Sequence, residues 1–251
     1  MRVLITGASR GIGASIANYF ASKSNCQIAL LARSLDEPSH SNLKGSLLNV
    51  ANQVEKKGST AYPFQCNLKN GKELEDTIQS ILKKIGGIDV LVNNASMLML
   101  NQNPSLKERD MVHNINARAT MICIDKCLES LQKNNGSIVT ISPPINLSNV
   151  DWIGNTPSYT ISKYSMTLAT IGVSNKVRAN TVWPKKTIAT YATKLLEKKG
   201  ISKNAFTNGR NPYEFASAVY KVAMQPYTGG MLFDEEVVEM SPSDAPLDLY
   251  V

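Results

Sequence analysis

Long apolar runs are missing from this 251-residue sequence. A transmembrane helix needs about 18 consecutive apolar residues. Even the most apolar stretch, residues 89–100, is interrupted by Asn93, Asn94 and Ser96, so a membrane-spanning chain is excluded. Histidine is scarce: His40 and His113 are too few and too far apart to suggest a site. The four cysteines, Cys26, Cys66, Cys123 and Cys127, form no C-x-x-C, so they carry neither metal-ligand nor redox spacing. Buried free thiols in a reducing compartment are expected instead. No charged leader, apolar h-region or Arg/Ser-rich transit segment stands before the β-branched run at Arg2, and the last residues are Asp248-Leu249-Tyr250-Val251 rather than Ser-Lys-Leu. The expected location is cytoplasmic.

What is present is core-forming material. A composition of 43% hydrophobic and 19% charged residues excludes intrinsic disorder. Lys and Arg number 27 against 20 Asp and Glu, but the lysine pairs at 56–57, 83–84, 185–186 and 198–199 are scattered. They read as solvated faces and turns. No basic motif is interleaved with aromatics, so a nucleic-acid partner is not expected.

Runs rich in Val, Ile and Leu alternate with helical patterns: residues 3–6 then 14–22, 27–32 then 47–57, 60–65 then 73–85, 89–92 then 106–131, 136–142 then 158–171, and finally 177–182. Strands separated by helices of this length imply right-handed crossovers and a parallel sheet covered on both faces. The fold class is therefore α/β, a single doubly wound Rossmann-type domain over residues 1–251. Residues 34–46 read as a surface loop and 187–211 as a helical excursion over one edge.

The first strand runs into Thr6-Gly7-Ala8-Ser9-Arg10-Gly11-Ile12-Gly13 and then a helix. Glycines at 7, 11 and 13 allow a tight turn, close approach of a pyrophosphate to the amides, and close packing of helix on strand. The helix N-terminus favours the negative charge. The fourth strand ends in Asn93-Asn94-Ala95-Ser96 at the carboxyl edge of the sheet, where such folds bind ligands. Tyr159 and Lys163 stand at i and i+4 on one helical face, and a nearby ammonium would lower the phenol pKa for general acid–base work.

These motifs, in this order, resemble the short-chain dehydrogenase/reductase family along nearly the whole chain: T-G-x-x-x-G-x-G at residues 6–13, N-N-A-S at 93–96 in place of N-N-A-G, Asn116 in the helix after strand 4, and Y-x-x-x-K at 159–163. The resemblance implies a mostly parallel seven-stranded sheet and hydride transfer between a nicotinamide and a carbonyl or secondary alcohol. It implies catalytic roles for Tyr159, Lys163, Ser142 and Asn116: Tyr159 exchanges the proton, Lys163 binds the nicotinamide ribose, Asn116 holds a relay water, and Ser142 polarises the carbonyl. Cofactor contacts would come from Gly7, Ser9, Arg10, Gly11, Ile12, Gly13, Arg33, Asn67, Asn93, Ala95, Tyr159, Lys163 and Pro184.

Departures from the family pattern are equally specific. The family's serine aligns nearer Pro143 than Ser142, and the alternative for Ser142 is simply to end its strand, held extended by the following proline. Pro184-Lys185 replaces Pro-Gly, and Asn67 replaces the usual Asp. The segment between Lys163 and Pro184 is shortened on the helix that builds the family's homodimers and homotetramers. No sterol-carrier domain is expected after the dehydrogenase unit, and no metal is called for.

Arg33, just past strand 2, stands where an acidic residue would select an unphosphorylated ribose, and Arg10 precedes the second glycine. Two guanidinium groups at one subsite favour NADP(H) over NAD(H). The apolar residues Met97, Leu98, Met99, Leu100, Ile145, Leu147, Val150, Trp152 and Ile153 follow the catalytic strands. They either line a cleft for an apolar, lipid-like substrate or belong to the core. The alternative function is a nucleotide-binding sensor or scaffold with little catalysis.

Overall fold

A computed structural model describes residues 1–36 and 45–238. His40, most of the loop expected at 34–46 and the C-terminal residues lie outside the described residues. The chain runs β1 (Arg2–Thr6), α1 (Gly11–Lys23), β2 (Gln27–Ala32), α2 (Leu47–Glu55), β3 (Thr60–Gln65), α3 (Gly71–Ile85) and β4 (Val90–Asn93). It continues through α4 (Leu106–His113), α5 (Ala119–Lys133), β5 (Ser137–Ile141), α6 (Val150–Asn155), α7 (Pro157–Ile171), β6 (Arg178–Trp183), α8 (Tyr191–Lys198), α9 (Pro212–Met224), β7 (Met231–Phe233) and α10 (Asp234–Val238).

All seven strands are parallel, in the order β3-β2-β1-β4-β5-β6-β7. Because the order reverses at β1, the loops leaving β1 and β4 part in opposite directions and open a crevice at their carboxyl ends. Alternate residues of each strand enter opposite cores. Val3, Ile5, Ile28 and Leu30 pack with Ile16, Phe20, Leu47 and Phe215, whereas Leu4, Ala29, Leu31 and Leu91 pack with Ile78, Ile81, Ile124 and Leu131. Burial on both faces explains why these strands read as continuous apolar runs.

The helix expected over 106–131 is interrupted by a single π turn, Asn114–Arg118, between α4 and α5. Its start is fixed by Ser105, whose hydroxyl accepts from the Glu108 amide while the Glu108 carboxylate accepts from the Ser105 amide. The excursion expected over one edge contains α8, but its first residues turn inward to the crevice rather than along the edge. Thr187 and Ala189 exchange backbone hydrogen bonds with Arg210, which holds this segment over the glycine loop. The chain after β6 also contributes α9, β7 and α10, which the periodicity did not mark.

Gly7 has φ of +68°, and a Cβ on Gly13 would lie 2.3 Å from the Gly7 carbonyl oxygen and 2.6 Å from Asn94 Nδ2. Overpacking of that kind costs about 1–3 kcal/mol or more. Gly13→Ala is expected to lower Tm by at least about 2 °C, read by calorimetry; an unchanged Tm would show that the turn yields freely.

Candidate active site

A cavity of about 690 Å³ occupies the crevice, within the usual range for small-molecule sites. Its floor is the glycine loop, Gly7 to Gly13, which comes straight off β1. One end is lined by Ala32, Arg33, Cys66 and Asn67 from the ends of β2 and β3, and the other by Asn94, Ala95, Ser96, Met97 and Leu98 after β4. Thr190, Tyr191 and Ala192 cover it from the start of α8.

Of the expected cofactor contacts, Gly7, Ser9, Arg10, Gly11, Ile12, Gly13, Arg33, Asn67 and Ala95 all line this cavity. Asn93 does not. Its side chain is buried behind the strand end, where Nδ2 donates to Thr140 Oγ1 at 3.2 Å. The alternation of the strand gives the crevice to Asn94 instead. Tyr159, Lys163 and Pro184 are not on the cavity wall either. Thr190 and its neighbours were missed because nothing in their local pattern distinguishes them; only the bridge of Ile188 to Arg210 brings them over Gly11.

Arg10 and Arg33 share the end of the cavity reached from β2. Burial, and then the Arg33 charge, lower the Arg10 pKa. Two guanidinium groups thus share one end of the cavity, where planar donors suit an oxyanion.

The catalytic candidates fall around α7. Burial pushes the Tyr159 phenol up to about 12, against the opposing effect of the Ser96 side chain. The expected lowering by Lys163 is reversed in this structure. The Lys163 ammonium is fully buried and donates to the Ile141 carbonyl at 2.5 Å, 5.2 Å from the Trp183 ring centroid. The i, i+4 spacing puts the two residues on one face, but the flexible lysine stem carries its nitrogen to the end of β5. Burial brings the Lys163 pKa down to about 7.

Ser142 is not brought to the cavity. It is 0% exposed, and its hydroxyl accepts a 3.0 Å hydrogen bond from Thr167 of α7. Of the two readings open for this residue, the structure gives the end of a strand, packed under a helix. Asn116 is also buried, within the π turn. Its Oδ1 accepts from the Met97 amide at 2.7 Å, and its Nδ2 donates to the Met97 carbonyl at 3.1 Å and to Ser162 Oγ at 2.9 Å.

The apolar residues divide. Met97 and Leu98 line the cavity, Met99 is core, and Leu147 and Val150 stand 73% and 71% exposed on the segment after β5. The four cysteines are buried free thiols, as expected. No group of three or more metal-ligating side chains occurs among the described residues, nor any helix long and apolar enough to cross a membrane.

Residues 1–199 match the family model described as short chain dehydrogenase. Hydroxysteroid dehydrogenase-like protein 2 of Danio rerio is 34% identical over 247 residues, which cover 94% of this chain and 57% of that protein. This chain thus spans less than two thirds of that relative's length. Among solved structures, a short chain dehydrogenase of Mycobacterium thermoresistibile superposes with a TM-score of 0.85 at 32% identity, covering 95% of this chain and 86% of that one. A metagenomic short-chain oxidoreductase solved in complex with NADP shares the fold, with a TM-score of 0.74, 22% identity, and coverage of 93% and 96%.

The depressed Lys163 pKa predicts a pH signature. In the unfolded chain this lysine keeps its proton to about pH 10.4, whereas in the folded chain it releases it near 7. Between those values the unfolded state binds more protons, so stability rises with pH. Above about pH 9 the buried thiols, Cys127 among them at about 12, act in the opposite sense. From pH 7 to 9 the wild type should therefore gain about 2–3 kcal/mol relative to Lys163→Met, measured by urea unfolding. Parallel pH dependences for the two proteins would mean that Lys163 keeps an ordinary pKa.

Proposed function

The chain belongs to the short-chain dehydrogenase family of oxidoreductases, and from that membership we propose that it is an NADP(H)-dependent enzyme moving hydride between nicotinamide and a carbonyl or secondary alcohol of an apolar, lipid-like substrate. The observation that carries this reading is one continuous cavity with Arg10 and Arg33 at one end and Ser96, whose side chain acts on the Tyr159 phenol, at the other.

The residues present fit a dinucleotide. Positive φ at Gly7 and Gly11 turns the loop tightly at the head of α1, where a Cβ on Gly13 would collide with the Gly7 carbonyl. The crowded pair Arg10 and Arg33 suits a 2′-phosphate. Bound there, the cofactor would supply or accept the hydride.

Tyr159 is the proton donor. With its pKa raised to about 12, the phenol is protonated at neutral pH, which suits protonation of a carbonyl oxygen during reduction. Lys163, near 7, sits at the pH where an amine exchanges protons readily. Leu98, Leu147 and Val150, exposed on the segments after β4 and β5, favour an apolar substrate. In this reading residues 1–251 act as one catalytic unit on a small molecule, without nucleic acid.

Tyr159→Phe is expected to lower the kcat of NADPH-dependent ketone reduction by about 10²–10⁴-fold while leaving NADPH affinity within about threefold. Arg33→Asp should weaken NADPH binding by about 10- to 100-fold, the worth of one charged hydrogen-bonding contact, and turn preference toward NADH. If titration of both cofactors showed the same preference before and after that change, the NADP assignment would be wrong. The placement of Ser142 away from the cavity and of Lys163 on the Ile141 carbonyl favours a second reading, a nucleotide-binding sensor or scaffold. It predicts NADPH binding without turnover across ketones and quinones, indifferent to Tyr159→Phe.

A further inference from the structure

The family's catalytic serine aligns nearer Pro143, which has no hydroxyl, and Ser142 is turned into the core against Thr167. A carbonyl reduced in this cavity would therefore lack a second hydroxyl from β5. Ser96 stands on the cavity wall, exposed to the open space, and its side chain acts on the Tyr159 phenol, opposing the rise caused by burial. Resting on the oxidoreductase reading above, we propose that Ser96 is the second catalytic hydroxyl, donating a hydrogen bond to the substrate oxygen beside Tyr159.

The backbone around Ser96 is held from both sides. On one side the amides of Asn94 and Ala95 donate to Thr6 Oγ1 at 3.1 and 3.0 Å, and Asn94 Nδ2 donates to the Thr6 carbonyl at 2.9 Å. On the other, the Met97 amide and carbonyl are both bound by the Asn116 side chain. The same Asn116 donates to Ser162, whose hydroxyl in turn donates to the Tyr159 carbonyl at 2.7 Å. Asn116 thus links the loop bearing Ser96 to the helix bearing Tyr159, acting as a positioning residue. A donor preorganised in this way needs no reorganisation when charge develops on the substrate oxygen.

In the reduction, hydride adds to the carbonyl carbon, the C=O π pair moves to oxygen, and oxygen takes the Tyr159 proton. A nicotinamide bound in the cavity would supply that hydride and be oxidised as the carbonyl is reduced. Ser96 keeps its own proton and donates to that oxygen throughout, and solvent returns one proton to Tyr159.

The test is steady-state reduction of 2-decanone and of phenanthrenequinone by NADPH, with NADPH affinity measured by fluorescence. Ser96→Ala should lower kcat by about 10²-fold with NADPH affinity within about twofold. Ser96→Thr, which keeps the hydroxyl at an exposed position, should recover most of the loss. In a Tyr159→Phe background, Ser96→Ala should add little, since groups acting on one oxygen are non-additive. Wild-type kcat in Ser96→Ala, or Ser96→Thr as impaired as Ser96→Ala, overturns the proposal. If the wild type reduces neither probe, the oxidoreductase reading fails separately. The pairing is then judged by NMR of ¹³C-tyrosine protein, with Tyr159→Phe identifying the signal: displacement of the Tyr159 resonance by Ser96→Ala upholds it, and an unmoved resonance rejects it.

Discussion

The cleft depends on one buried hydroxyl. Thr6 closes β1, and its Oγ1 accepts from the amides of Asn94 and Ala95 while donating to the Val92 carbonyl. That atom ties the end of β1 to the end of β4 at the point where the strand order reverses. The chain must leave both strands there without ladder partners, and buried backbone amides left unpaired would cost about 1–3 kcal/mol each. With those amides satisfied by Thr6, the glycine loop can turn one way and residues 94–98 the other. The space between them is the cavity.

The two ends of that cavity differ in electrostatic character. The end at β2 carries two guanidinium groups, one already destabilised by burial and by its neighbour. The end at β4 carries neutral donors and apolar side chains. Behind it, Lys163 is held in the core by a carbonyl, a sulfur and an indole face rather than by a carboxylate. Desolvation of an amine without a carboxylate partner is what draws its pKa toward neutrality.

The same helix that carries Tyr159 and Lys163 also explains the fate of Ser142. Thr167 lies one turn beyond Lys163 and covers the end of β5, donating to Ser142 Oγ and to the Pro143 carbonyl. The alignment of a serine near the end of a strand carries no information about which way its Cβ points. Ser96, by contrast, follows β4 on a segment whose backbone is pinned at Asn94, Ala95 and Met97 and lies on the cavity wall.

Periodicity in the residues was enough to set the α/β class, six of the seven strands and the glycine loop, because parallel strands buried on both faces read as apolar runs and the loop lies within a few residues of β1. Position relative to the glycine loop and the end of β2 marked Arg10 and Arg33, and the family resemblance marked Asn67. Periodicity did not reach β7, three residues long, or α8 as a cover, whose place depends on Arg210 twenty residues later. Nor did it decide between Asn93 and Asn94 on the crevice wall, which way the Ser142 side chain points, or where the Lys163 nitrogen rests. Those outcomes turn on side-chain direction and burial, which follow from contacts between distant segments and not from local spacing.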